Sequence, residues 1–207
     1  MLENILFDLG GVLLNLDMAR TRKAFAELGW SEENWQGITQ SGYLIFENLE
    51  TGVDTSEQFR ERMRQVLPGS PSDKEIDCAW NAMLLDFPVE NVDYLKELGK
   101  HYKLYVLSNT NEIHVRRFRE IFEGSHGFSL DQLVEKCYYS HEIGFRKPNP
   151  GAFFAVLQDA QLDPAETLFI DDLQINTDEA AKLGMKVLHI NAGTLLQSLP
   201  DYLEKFG

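Results

Sequence analysis

Short unbroken apolar runs recur along this chain, each leading into a polar residue. They are Asn4-Ile5-Leu6-Phe7 before Asp8, Lys103 to Leu107 before Ser108, Lys136 to Tyr139 before Ser140, Thr167 to Ile170 before Asp171, and Lys186 to Ile190. Apolar runs this short read as strands buried on both faces. Between the later runs, apolar residues three and four apart predict helices over 92–98, 111–122, 151–159 and 176–183, with Gly99 and Gly184 as stops. Strands separated by helices of this length require right-handed crossovers, so the expected fold is α/β, a parallel sheet with helices on both faces.

The stretch from Leu16 to Asp86 breaks that rhythm. It has almost no strand pattern and instead predicts helices over 18–28, 56–66 and 72–85, punctuated by Gly42, Gly52 and Pro68-Gly69-Ser70-Pro71. The expected organisation is a catalytic core of residues 1–15 and 88–207, with a small helical insertion over 16–87 after the first strand. A length of 207 residues suits one core plus a modest insertion.

Composition narrows the partners. A formal net charge of −14 without a basic stripe argues against nucleic acid, whose binding depends on Lys and Arg neutralising phosphates. No run approaches the roughly 18 apolar residues of a membrane span. Cys78 and Cys137 show neither metal spacing nor a disulfide framework, which fits a reducing compartment, so a cytoplasmic protein without a membrane partner is expected. The sequence is silent on oligomeric state.

Candidate chemistry gathers at the strand ends. A parallel sheet would bring Asp8, Ser108, Asp171 and Asp172 to one edge, with Lys147 in a nearby loop. Taken singly, Asp8 could be a turn former, Asp171-Asp172 a helix-dipole pair, and Ser108 an N-cap. Taken together they suit phosphoryl transfer. Asp8 can serve as nucleophile and carry an aspartyl-phosphate. Ser108, with the amides of Asn109 and Thr110, can hold an anion at a helix start, and Gly11 is a further candidate contact to substrate. Lys147 offers a point charge for phosphate. Asp8, Asp171 and Asp172 offer the hard oxygen ligands that Mg²⁺ takes. A phosphate dianion among three carboxylates would meet repulsion of roughly 4 kcal/mol per pair at 4 Å and an effective dielectric near 20, so a divalent cation is expected.

These residues also resemble a known family. Phe7-Asp8-Leu9-Gly10-Gly11-Val12, Leu107-Ser108-Asn109-Thr110, Lys147-Pro148 preceded by Ser140 and Gly144, and Ile170-Asp171-Asp172 with Asn176 and Gly184-Met185 downstream are similar to the four ordered motifs of the haloacid dehalogenase (HAD) superfamily. The acid pair and the insertion after the first motif resemble its subfamily I, variant 3, which includes α-D-glucose-1-phosphatase type enzymes. The resemblance implies a Rossmann-like core under a helical cap, with Asp8 as nucleophile and metal ligand and Ser108 and Asn109 as phosphate holders. It implies Lys147 as the charge neutraliser, Asp172 as the main metal carboxylate beside Asp171, Asn176 further out, and Gly10 giving its carbonyl to Mg²⁺.

Gly10 departs from the family pattern, which places a second, acid–base Asp there. That removes a side-chain contribution usually worth about 10²–10⁴-fold. A phosphomutase is therefore disfavoured, and leaving groups that need little protonation, such as the anomeric oxygen of glucose 1-phosphate, are favoured. The expected function is a Mg²⁺-dependent phosphatase of a small phosphorylated metabolite, with a sugar phosphate as the favoured substrate. The alternatives are a metal-independent 2-haloacid dehalogenase and a non-catalytic HAD-like binding protein.

Overall fold

The computed structural model describes residues 1–31 and 43–206. Its sheet contains β1 (Asn4–Phe7), β2 (Lys103–Ser108), β3 (Lys136–Tyr139), β4 (Thr167–Asp171) and β5 (Lys186–His189). All pairings are parallel, in the order β3-β2-β1-β4-β5, and Phe7 lies beside both Val106 and Ile170. The chain therefore leaves β1 toward one edge of the sheet and returns to build the other. Such a reversal opens a crevice at the carboxyl ends of the strands, and β1 ends there in Asp8.

Alternate residues of each strand feed different cores. Ile5, Phe7, Leu104, Val106, Leu168 and Ile170 pack against α5 (Val89–Leu98), α6 (Glu112–His126) and α10 (Leu195–Phe206). Leu6, Tyr105, Leu107 and Phe169 pack against α8 (Pro150–Asp159) and α9 (Gln174–Lys182). Helices thus cover both faces, as the double-sided apolar runs require. A short helix, α7 (Ser140–Ile143), follows β3 directly and stops at Gly144 in a left-handed conformation.

The segment after β1 is helical: α1 (Met18–Glu27), α2 (Tyr43–Glu50), α3 (Ser56–Val66) and α4 (Asp73–Asn81). The expected break at Gly42 lies outside the described residues. Thr55 and Ser72 close capping boxes at the starts of α3 and α4. These helices bury a third cluster around Phe25, Leu49, Phe59, Met63, Ile76 and Trp80, to which α6 adds Ile113. Ser56 Oγ donates to Glu112 on α6 at 2.6 Å, a second tie to the sheet's helices.

The 72–85 helix ends early, at Asn81, because the chain then pairs with the segment leaving β1. Asp17 N donates to Met83 O at 2.9 Å, Leu85 N to Asn15 O at 3.0 Å and Asn15 N to Asp86 O at 2.9 Å. The entry to and exit from the helical segment thus run side by side. Further differences from the sequence pattern are α2, α7 and α10, which it did not indicate, and α6, which continues to His126.

Candidate active site

The apolar β1 strand delivers Asp8 to the crevice, where its residue is 9% exposed. Lys147 Nζ donates to Asp8 Oδ1 at 2.6 Å and to Asp171 Oδ2 at 2.7 Å. Burial pushes the Asp8 carboxyl up to about 7, Lys147 pulls against that rise, and Asp171 adds to it. Burial opposes the Lys147 charge, yet the two carboxylates hold its ammonium above the ordinary lysine value. The lysine therefore stays a cation between two acids. Lys147 takes Asp8 Oδ1, and the Leu9 main-chain N–H also helps to hold the Asp8 carboxylate.

Asp171 and Asp172 divide the work that the sequence assigned to them jointly. Asp171 is fully buried and accepts from Leu173 N at 2.8 Å and from Asn176 Nδ2 at 3.0 Å on each oxygen, as well as from Lys147. It anchors Lys147. Asp172 lines the cavity instead, and burial followed by the Asp171 charge raises its carboxyl. His189 Nε2 lies 3.1 Å from the Asp172 main-chain oxygen and fixes this turn against β5.

One oxygen from each of Asp8, Asp171 and Asp172 lies within 4.8 Å of the others. Gly11 adopts φ +80, and a Cβ there would collide with Asp172 Oδ2, so the glycine permits a side chain to sit against the backbone turn. A compact set of carboxylate oxygens beside bare backbone fits a hard divalent cation.

The phosphate-side residues are more specialised than expected. Ser108 and Asn109 line the cavity at the end of β2. The Asn109 side chain, however, is committed to Lys147: its Oδ1 accepts from Lys147 N at 2.8 Å and its Nδ2 donates to Lys147 O at 2.9 Å. Ser140 Oγ accepts from Thr110 N at 2.9 Å and donates to Thr110 O at 3.0 Å, joining β3 to the same turn. Gly11 is not brought into the cavity. Its N–H donates to Leu14 O and its carbonyl accepts from Gly193 N, each at 2.8 Å, and its lack of a side chain admits Asp172. Gly10 does line the cavity.

The cavity encloses about 280 Å³, the size of a small metabolite site. Its wall away from the acids includes Leu16, Met18, Trp80, Met83 and Leu84. His114 stacks on Trp80 at 4.6 Å between ring centroids, its Nε2 is 3.2 Å from Trp80 O, and burial depresses its pKa to about 4. It is a neutral wall residue. Glu50 and Arg146 also line the cavity and pair through Arg146 Nε and Glu50 Oε2 at 2.7 Å. The sequence did not mark either one, because nothing local distinguishes them from solvated charges. Asp17 caps α1 and pairs with Arg20 at 3.4 Å, and neither lines the cavity.

The model of haloacid dehalogenase-like hydrolases matches residues 2–184. A D-ribitol-5-phosphate phosphatase of Bacteroides thetaiotaomicron is 30% identical over 193 residues, covering 93% of this chain and 94% of the relative. A HAD family enzyme from the same organism, solved in complex with magnesium and inorganic phosphate, is 39% identical with a TM-score of 0.85, covering 93% of this chain and 96% of that one. A HAD-like hydrolase from Porphyromonas gingivalis is 30% identical with a TM-score of 0.86, over 99% and 98% of the two chains. Among the described residues, no helix is long and apolar enough to cross a membrane.

Proposed function

The chain belongs to the haloacid dehalogenase-like hydrolase family, and from that premise we propose that it is a magnesium-dependent phosphatase of a small phosphorylated sugar or sugar alcohol. The observation carrying this reading is the Lys147 ammonium held between Asp8 and Asp171 while Asp172 faces the same cavity.

A carboxylate oxygen of Asp8 attacks phosphorus, the ester P–O bond breaks, and the substrate alcohol leaves. Because Gly10 carries no acid, the leaving oxygen takes its proton from water. Water then attacks the phosphorus of the aspartyl-phosphate, releasing phosphate and restoring the Asp8 carboxylate. Lys147 balances the charge that Asp8 and the phosphoryl oxygens share. Ser108 and the Asn109 main-chain N–H hold those oxygens. Asp8 and Asp172, with the Gly10 carbonyl and Asp171 behind them, would hold Mg²⁺, which supplies the positive charge that lets one anion approach another.

Residues 16–87 act as a cap over this crevice, and 1–15 with 88–207 as the catalytic core. The small cavity keeps substrates small. A sugar 1-phosphate such as glucose 1-phosphate suits the missing acid at Gly10, and the ribitol-phosphate relative adds primary-alcohol esters to the range.

A panel of glucose 1-phosphate, glucose 6-phosphate, a pentitol 5-phosphate and p-nitrophenyl phosphate, assayed with Mg²⁺ and with EDTA, tests the reading. Mg²⁺-dependent phosphate release from the sugar or polyol esters is expected. Chloride release from 2-chloropropionate, unaffected by EDTA, would instead support the dehalogenase alternative.

A further inference from the structure

Glu50 and Arg146 are the charged residues of the cavity wall that the phosphoryl chemistry does not use; the other charged wall residues are Asp8, Lys147 and Asp172. They come from different layers, Glu50 at the end of α2 and Arg146 immediately before Lys147. Their side chains are 15% and 25% exposed, so the pair is mostly withdrawn from water. The cavity that the pair lines is also lined by Leu16, Met18, Trp80 and Met83, and Glu47 is a further charge acting on Glu50. A desolvated ion pair on an apolar wall is a poor source of stability, since an apolar pair of similar volume often serves as well. Its placement calls for a role in recognition.

We propose that Glu50 and Arg146 form the subsite that recognises hydroxyl groups of the substrate's leaving alcohol, and so select hydroxylated phosphate esters over plain alkyl or aryl ones. The inference rests on the phosphatase reading and deepens it. A hydroxyl both donates and accepts, and the pair presents a carboxylate acceptor next to a guanidinium donor. Arg146 Nε engages Glu50 Oε2, whereas Oε1 accepts no hydrogen bond from the described residues and can take a hydroxyl proton. The pair is neutral overall, so it offers no net attraction for a second phosphate or a carboxylate. Because the pair and Lys147 line one cavity, a substrate whose phosphate sits at Lys147 has room to extend its carbon chain toward the pair. Trp80 and Met18 supply apolar surface for the C–H face of that chain.

The test compares kcat/KM for a pentitol 5-phosphate, n-pentyl phosphate and p-nitrophenyl phosphate in the wild type, Glu50→Gln and Arg146→Lys. Hydrogen bonds to a charged group set the expected loss at about 10- to 100-fold for the pentitol ester, mainly through KM. Turnover of the two hydroxyl-free esters should stay within about twofold. Those esters also report whether each variant is folded. A parallel fall on all three esters, meaning a purely structural tie between α2 and the lysine loop, would overturn the inference, as would unchanged selectivity. A second arm needs no variant: the wild type should lose affinity as hydroxyls are removed from the pentitol ester, and indifference to them would also overturn it. If the wild type released phosphate from none of the esters, the phosphatase reading would fall and this inference with it. Normal p-nitrophenyl phosphate turnover in variants that keep the wild type's preference for the pentitol ester would remove this inference alone.

Discussion

Gly11 is the residue whose small size matters most to the carboxylate cluster. Its φ of +80 and the closeness of Asp172 mean that a methyl group must both strain the turn and displace a carboxylate. The backbone part alone costs about 1–2 kcal/mol. Gly11→Ala should therefore raise the Mg²⁺ concentration needed for half-maximal phosphatase activity about tenfold or more, by an Asp172 displacement worth at least ~1.4 kcal/mol of binding. Gly124→Ala, where nothing lies within 4 Å, should leave it unchanged. His114 gives a pH signature. Its pKa falls from 6.5 to about 4 on folding, so between those values the unfolded chain binds the proton that the buried ring refuses. Stability from this group is complete above 6.5 and is lost as pH falls toward 4, by up to about 3 kcal/mol. Urea midpoints measured from pH 7 to 4.5 should fall steeply in the wild type and less in His114→Gln. Equal slopes would remove His114 from the account. The sequence showed Asp8, Ser108, Lys147 and Asp172 because each follows an apolar strand or carries a motif. It could not show that Asn109 spends its amide on Lys147, or that Gly11 sits against Asp172, since both depend on contacts between distant segments.

At the scale of elements, the site is a junction of strand ends sewn together by side chains. Asn109 ties the end of β2 to the Lys147 main chain, and Ser140 ties β3 to Thr110. Asn109→Ala removes the first tie, and two hydrogen bonds of ordinary strength make its cost about 1–3 kcal/mol. Turnover should fall more than this loss of folding stability would suggest, because Lys147 loses its position. Urea unfolding and kcat measured on one preparation check this, and a stability loss with normal kcat would contradict it. The five strands were legible because doubly covered parallel strands are unbroken apolar runs. The helices were less so. In α2, Leu44-Ile45-Phe46 is a continuous apolar run without a clear helical stripe, and α10 carries Pro200 in its interior, which reads as a breaker. The helix expected to reach Leu85 stops because residues 83–86 pair with 15–17, a tertiary preference that no local pattern displays.

Over the whole molecule, two clusters flank the sheet and a third lies among the helices that follow β1. Trp30 and Trp80 belong to the third cluster, so their fluorescence reports on that cluster rather than on the sheet. Phe59→Ala, at a fully buried position, should cost about 3–5 kcal/mol. If 16–87 is a cap with its own core, the fluorescence transition should shift to lower urea than the far-ultraviolet dichroism transition. Coincident transitions would argue for one cooperative unit. The net charge of −14 makes the Lys147 cation at the crevice all the more necessary for an anionic substrate. The central claim is that the fold turns Asp8 into a nucleophile by gathering Lys147, Asp171 and Asp172 around it. Its most direct test is Mg²⁺-dependent hydrolysis of p-nitrophenyl phosphate by the wild type and Asp8→Asn. The account predicts turnover that EDTA removes in the wild type and a loss of about 10³-fold or more in a folded Asp8→Asn, the scale on which loss of a covalent nucleophile is felt; near-normal turnover in that variant would contradict it.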